Sequence, residues 1–288
     1  MTIANLIRFA LLISTMLVVF GFGLSSTVRD ATSLLRNPSL LVRSLLSMNV
    51  LMPLFAALLA GAFALRPAIA IALIALAVSP MPPVLPGKEL KLGGHSDYVF
   101  GLFRASAVLS IVLAPLTVAL IGVAFSRQVS VAPLAIAKTL ALTVLVPFPL
   151  GLIARRLLPA SAERASRIVG QIGMWLLIIA FAPVLIKEWP AMMTLIGNGT
   201  VAALVAFTVV GLVVGHLLGG PNPDNRTVLA VATASRHPGV AATLATAVFP
   251  EQTLVAPALL LYLVISAIAS APYVLWRRRL HKELAPAS

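Results

Sequence analysis

Apolar runs of about twenty residues follow one another along almost the whole chain, and this repetition limits the fold more than any other feature. Roughly 20 helical residues, at about 1.5 Å each, cross a hydrocarbon core about 30 Å thick. Inside that core no water satisfies backbone N–H and C=O groups, so runs of this length and continuity have to be helical. Composition agrees, because 60% of the 288 residues are hydrophobic and 10% are charged, whereas a water-facing domain carries roughly 25% charged residues. An all-α polytopic membrane protein is expected, and soluble enzymes, nucleic-acid binders, disulfide scaffolds and disordered regulators are set aside. There is no cysteine, hence no disulfide, thiolate nucleophile or thiolate metal site. The 8 acids are too scattered for a carboxylate-bridged metal centre, and no cofactor or metal is expected.

Nine segments read as spans: Asn5 to Leu24, Ser39 to Leu65, Pro67 to Gly94, Ser96 to Phe125, Val131 to Leu158, Ser166 to Ile186, Thr200 to Leu218, Asn225 to Phe249 and Leu254 to Leu275. The breaks between them carry turn chemistry, such as Asn37-Pro38, Gly93-Gly94, Leu158-Pro159 and Gly197-Asn198-Gly199. The first segment has the look of a signal peptide, but it is long and no small-residue cleavage site precedes Arg29, so it is read as a span. Residues 1–288 then form a single membrane domain.

Net charge is +13 and the isoelectric point about 11.6, which in a soluble chain would suggest nucleic acid. The position of the charge argues otherwise. After odd-numbered spans lie Arg29, Arg36, Lys88, Lys91, Arg155, Arg156, Arg164, Arg167, Arg226, Arg277, Arg278, Arg279 and Lys282, thirteen in all; after even-numbered spans and at the start lie only Arg8, Arg66, Arg127 and Lys187. An excess of Lys and Arg marks the cytoplasmic side. The N-terminus is therefore expected outside and the C-terminus in the cytoplasm of a multi-pass chain in a cell membrane, taken as a bacterial inner membrane. The lipid bilayer, with anionic inner-leaflet lipid, is the partner that the basic excess fits, and nucleic acid is not expected.

Two spans cannot be continuous helices. The third holds Ser79-Pro80-Met81-Pro82-Pro83-Val84-Leu85-Pro86-Gly87, where the prolines remove donors and clash with preceding carbonyls. The eighth holds Thr233-Ala234-Ser235-Arg236-His237-Pro238-Gly239, a polar interruption in an apolar run. Non-helical backbone at membrane depth is tolerated only where protein buries it or it lines a cavity. Each broken span is followed by one helix and preceded by two that correspond, which is the pattern of an inverted-repeat transporter with its site at the breaks. Residues 5–125 are read as the first repeat, spans 1 to 4; residues 131–277 hold span 5 and the second repeat, spans 6 to 9. The single prolines Pro53, Pro115, Pro147 and Pro149 read as kinks.

Several motifs resemble the bile acid:sodium symporter family. They are Gly21-Phe22-Gly23-Leu24, Leu34-Leu35-Arg36-Asn37-Pro38, Met48-Asn49-Val50-Leu51-Met52-Pro53, Ser79-Pro80, and Thr233-Ala234-Ser235-Arg236-His237-Pro238-Gly239-Val240-Ala241. The resemblance implies two discontinuous helices that cross at mid-membrane and a core that moves against a panel, here in a nine-span form. Sodium coupling is not implied so simply. In sodium-dependent relatives the ligands are a Gln that corresponds to Asn49, a Ser-Asn pair that falls on Leu85 and Pro86, a Glu that falls on Ala232, and a Gln that falls on Arg236. Three of these positions lack a side-chain oxygen and one carries a permanent positive charge, whereas a hard cation asks for several oxygen ligands.

The residues expected at the substrate are Asn49, Met81, Pro83, Thr233, Ser235, Arg236, His237 and Pro238. Arg236 either supplies a fixed cation where sodium would sit, leaving half-helix N-termini to attract an anion, or satisfies carbonyls freed at the break. His237 is either a proton-exchanging group or a hydrogen-bonded structural histidine. The expected function is secondary transport of a small organic anion by alternating access, without obligatory sodium coupling, with a proton or sodium as the possible coupling ion. The alternatives are a sodium-dependent symporter, an efflux carrier or a channel-like uniporter on the same fold. A membrane-embedded enzyme would need a convergent acid, base or metal set, and the spans offer only His237 beside Arg236, so no enzyme is expected.

Overall fold

The computed structural model describes residues 3–27, 29, 33–124, 138, 141–249 and 251–284. Among these every regular element is helical: α1 (Ile3–Ser25), α2 (Pro38–Ala62), α3 (Pro67–Val78), α4 (Leu85–Leu90), α5 (Ser96–Ala124), α6 (Pro147–Leu157), α7 (Pro159–Thr194), α8 (Thr200–Leu218), α9 (Pro223–Ala234), α10 (Pro238–Val248) and α11 (Val255–Leu284). Proline stands in the first turn of α2, α3, α6, α7, α9 and α10, where its missing N–H costs nothing and its fixed φ suits the helix. Asn37 and Asn222 cap α2 and α9 through side-chain oxygens that accept from Leu40 and from Asp224 and Asn225.

Among the described residues six helices are long and apolar enough to cross a membrane: α1, α2, part of α5, α7, α8 and most of α11. Both expected breaks are present. α3 ends at Val78 and the chain is extended at Ser79 before α4 begins at Leu85. α9 ends at Ala234 and α10 begins at Pro238, with Ser235 and His237 extended. Of the segment expected at Val131 to Leu158, the first third falls largely outside the described residues, which resume continuously at Ala141.

Three differences from the sequence reading have physical causes. α7 runs for 36 residues, about 54 Å at 1.5 Å per residue, rather than from Ser166 to Ile186. Its first turns, Pro159 to Arg164, are polar but helix-compatible, so hydropathy marks only the inner part. α11 likewise continues to Leu284 through its basic end. Pro53 and Pro147 are more than kinks: each follows a turn of π-helix, Leu46–Leu51 inside α2 and Ala141–Leu145 before α6, a register that absorbs the missing proline donor.

α3 is buried nearly all round and forms the centre, with α2, α5, α10 and α11 packed on it. α1 packs instead on α6 and α7. α8 lies along α9 with glycine at 211 and 215 facing it; a Cβ at Gly215 would stand 2.4 Å from the Leu229 carbonyl and 2.5 Å from Ala230 Cα. Small residues that let backbones touch are the usual glue between helices in lipid, and here they set where α9, and so the second break, comes to rest.

Candidate functional site

The two breaks meet. The His237 N–H donates to the Pro80 carbonyl at 2.9 Å and also lies 3.1 Å from Ser79 Oγ. On the same strand of chain, the Met81 N–H donates to Ser106 Oγ of α5 at 3.0 Å. The Tyr262 hydroxyl of α11 donates to the Ala234 carbonyl, and Ser47 Oγ of α2 is 2.7 Å from Thr233 Oγ1. Backbone groups that two broken helices leave unpaired are thus satisfied by each other and by hydroxyls from α5 and α11, while the Ser47 hydroxyl of α2 pairs with that of Thr233, as a chain without water around it requires.

Arg236 sits at this crossing with 1% of its surface exposed. Its Nη1 donates to the Ser79 carbonyl at 3.2 Å and its Nη2 to the Met48 carbonyl at 2.8 Å. Met48 lies in the π turn of α2, where the amide five residues on would be its donor. That residue is Pro53, which has no N–H, so the carbonyl is left for the guanidinium. The geometry is that of the second sequence reading of Arg236, satisfaction of freed carbonyls. It is incomplete, because Nε is buried without a partner among the described residues.

His237 is also buried. Its Nδ1 accepts from the Gly239 and Val240 amides and caps α10. An Nδ1 that accepts carries no proton, so the ring hydrogen is on Nε2, and Nε2 has no partner among the described residues. The cap corrects one expectation: the first amides of α10 are occupied by His237 itself and do not point at a ligand. It also makes His237 a structural acceptor at Nδ1, where an added proton would break the cap.

The other expected site residues are less alike. Thr233 is buried and bonded to Ser47; Ser235 and Pro238 are half-buried beside Arg236 and His237; Met81 is buried in the core. Asn49 is half-buried on the π turn, next to Met48. Pro83 is buried just before α4. Leu85, Pro86 and Ala232 are all buried, and among the described residues no group of His, Asp and Glu is placed to hold a metal ion. Elsewhere, His95 Nε2 lies 3.6 Å from Asp224, His216 Nδ1 lies 2.8 Å from the Tyr273 hydroxyl, and the Arg104 guanidinium lies over the Phe148 ring.

Sequence reasoning missed two features. One is Glu89, fully buried on α4, which in sequence reads as one charge among the lysines at 88 and 91. The other is a polar cavity of about 530 Å³ where α2, α5 and α9 begin, lined by Arg29, Asn37, His95, Asp97, Tyr98 and Asn222 among others. Its only sequence signal is that Asn37, Ser96 and Asn222 each stand at a helix start.

Comparison with known proteins adds a family. The family model described as Sodium Bile acid symporter family matches residues 11–193, well over half of the chain. That stretch takes in the π turn and the first break and stops short of the second. No curated protein matches the chain.

Proposed function

The chain belongs to the sodium bile acid symporter family, and we propose that it is a secondary transporter that carries a small organic anion across a cell membrane by alternating access. One observation carries the reading. Arg236 Nε and His237 Nε2, on neighbouring residues, are buried N–H donors without acceptors among the described residues, placed where two broken helices cross. Buried donors are rarely left unpaired, and a carboxylate supplies acceptor oxygens and the negative charge that a buried guanidinium lacks here. Thr233, Ser235, Asn49, Met81, Pro83 and Pro238 complete the proposed surroundings.

The same reading takes the architecture further. Nine spans are counted when α3 with α4 and α9 with α10 are each one broken span and the partly described segment before α6 is another. Spans 1 to 4 and 6 to 9 are the two halves of an inverted repeat. α1, α6 and α7 pack mainly on one another and meet the helices around α3 at α11 and at Phe100 of α5, which fits a panel and a core that slide against each other. Orientation follows the basic residues, with the C-terminus cytoplasmic. The coupling ion is not obligatorily sodium, because Arg236 already holds carbonyls of two other segments and Leu85, Pro86 and Ala232 offer no side-chain oxygen.

A thermal-shift screen of small organic anions on the purified chain, in sodium and in choline buffer, tests this. Stabilisation by a carboxylate in choline is the expected result. Stabilisation only in sodium would favour the sodium-dependent symporter, and none by any anion in either buffer would overturn the reading. Counterflow of labelled against unlabelled hit compound in proteoliposomes then separates a carrier from a channel, since only a carrier exchanges.

A further inference from the structure

α4 resumes the chain after the first break, and its end is pressed between two helices. A Cβ added at Gly94 would stand 2.6 Å from Val228 of α9 and 2.9 Å from Val99 of α5. The Glu89 carbonyl accepts from the Leu92 and Gly94 amides, which closes the turn and holds the residue in place. Its side chain is wholly buried, and neither carboxyl oxygen has a hydrogen-bond partner among the described residues.

The groups around it do not make an ion pair. Lys88 is next to it on α4, and adjacent helical residues do not face each other. Tyr98 stands on α5, which packs on α4; its hydroxyl is 3.0 Å from Ser44 Oγ of α2, and it lines the polar cavity. From α11, Arg278 acts on Lys88 and His281 stands against Gly93. From α9 comes Val228, while Asp224 is turned to His95. A carboxylate in this place would be a buried charge with no donor, whereas a carboxylic acid brings its own proton.

We propose that Glu89 is a proton-binding site, loaded from water in the cavity that Tyr98 lines. Loading adds one proton to the carboxylate and gives the neutral acid; unloading returns that proton to the cavity. α4 is the second half of a broken span, so the charge on Glu89 decides whether its end stays packed between α5 and α9 or moves toward water. On the transport reading above, on which this step rests, the proton is then the ion that travels with the anion.

Infrared spectra of the full chain in lipid nanodiscs read the site without any substrate, so its failure is distinct from failure of the transport reading. Wild-type protein at neutral pH should show the C=O band of a protonated carboxyl group. Glu89→Gln should lack the band and Glu89→Asp should displace it, the second variant covering the case in which the first does not fold. The band should shift promptly on transfer to D2O, because the proton exchanges with the cavity. A spectrum without such a band, or a band that stays unshifted for hours in D2O as in a sealed structural acid, overturns the site. For coupling, proteoliposomes holding the pH dye pyranine should acidify when an anion from the screen is taken up by wild type and not by Glu89→Gln. Anion uptake by wild type without acidification would leave the transport reading standing and overturn the coupling.

Discussion

The guanidinium of Arg236 reaches the carbonyl of Met48 at 2.8 Å, across 188 residues of sequence. One proline makes this contact available: Pro53 removes the amide that the π turn would aim at that carbonyl, and a cation from the other half of the chain takes its place. The same guanidinium holds the Ser79 carbonyl of the first break, so a single side chain joins an early helix and both interruptions. In lipid, where no water competes for these carbonyls, the arrangement ties the crossing together.

Arg236→Gln should weaken this joint and the anion site together. Each buried acceptor left without a donor costs about 1 to 3 kcal/mol, and glutamine is too short to reach both carbonyls as the guanidinium does. A lower melting temperature in detergent and loss of the stabilisation given by the anion are expected. Arg236→Lys should recover part of the melting temperature and little of the anion effect, since it keeps the charge and loses the planar fork. An unchanged anion response in Arg236→Gln would make the residue a brace alone.

His237 separates cap from ligand contact. Asparagine is a strong N-cap and can accept from the first amides of α10 as Nδ1 does, but it has no group where Nε2 lies. His237→Asn should therefore melt near wild type while its affinity for the anion falls about 10-fold or more, the loss of one hydrogen bond to a charged group. His237→Ala should lose about 1 kcal/mol of stability as well. Equal affinity in wild type and His237→Asn would remove His237 from the site.

Exchange of sodium for choline or potassium should leave anion binding and uptake unchanged. The resemblance to sodium-dependent relatives puts Asn49, Leu85, Pro86, Ala232 and Arg236 at the ion's positions, and of these only Asn49 carries a side-chain oxygen. A cooperative dependence of uptake on sodium, with a Hill coefficient above one, would mean that backbone carbonyls bind the ion despite these residues.

Both breaks were legible in the sequence because each violates the apolar pattern of its span: clustered prolines in one, Ser235 to His237 followed by Pro238-Gly239 in the other. Arg236 was legible for the same reason. Its partners were not, because backbone carbonyls carry no residue identity, and only the pair Met52-Pro53 hints that a carbonyl upstream lacks its amide. Glu89 escaped because its burial depends on Gly94 letting α4 approach Val228 and Val99, a long-range contact with no local trace. The lengths of α7 and α11 escaped because hydropathy records the lipid-facing part of a helix and not its continuation beyond.

A reporter fused after Arg279 should be cytoplasmic. Thirteen of the Lys and Arg residues cluster after odd-numbered spans against four on the other side, and such a bias sets orientation. A fluorescent protein that matures only in the cytoplasm should be bright there, and alkaline phosphatase at the same place should be inactive. The reverse pattern would undo the count of nine spans and the repeat built on it.

The last prediction concerns the contact that joins α1 to α6. A Cβ built on Gly23 would stand 2.2 Å from the Phe148 carbonyl oxygen, and one built on Gly151 would stand 2.3 Å from the Phe20 carbonyl oxygen. The obstacle in each case is backbone, which cannot rotate aside, so either helix must move to admit a methyl group. Overpacking of this kind costs about 1 to 3 kcal/mol, and Gly23→Ala and Gly151→Ala should each lower the melting temperature in detergent. Gly170 on α7 is the control, because a Cβ there meets nothing within 4 Å. Gly170→Ala should be neutral or stabilising by up to about 1 kcal/mol, the gain of alanine over glycine inside a helix. If all three variants melt alike, α1 and α6 do not cross at Gly23 and Gly151, and the separate grouping of α1, α6 and α7 on which the sliding panel rests is wrong.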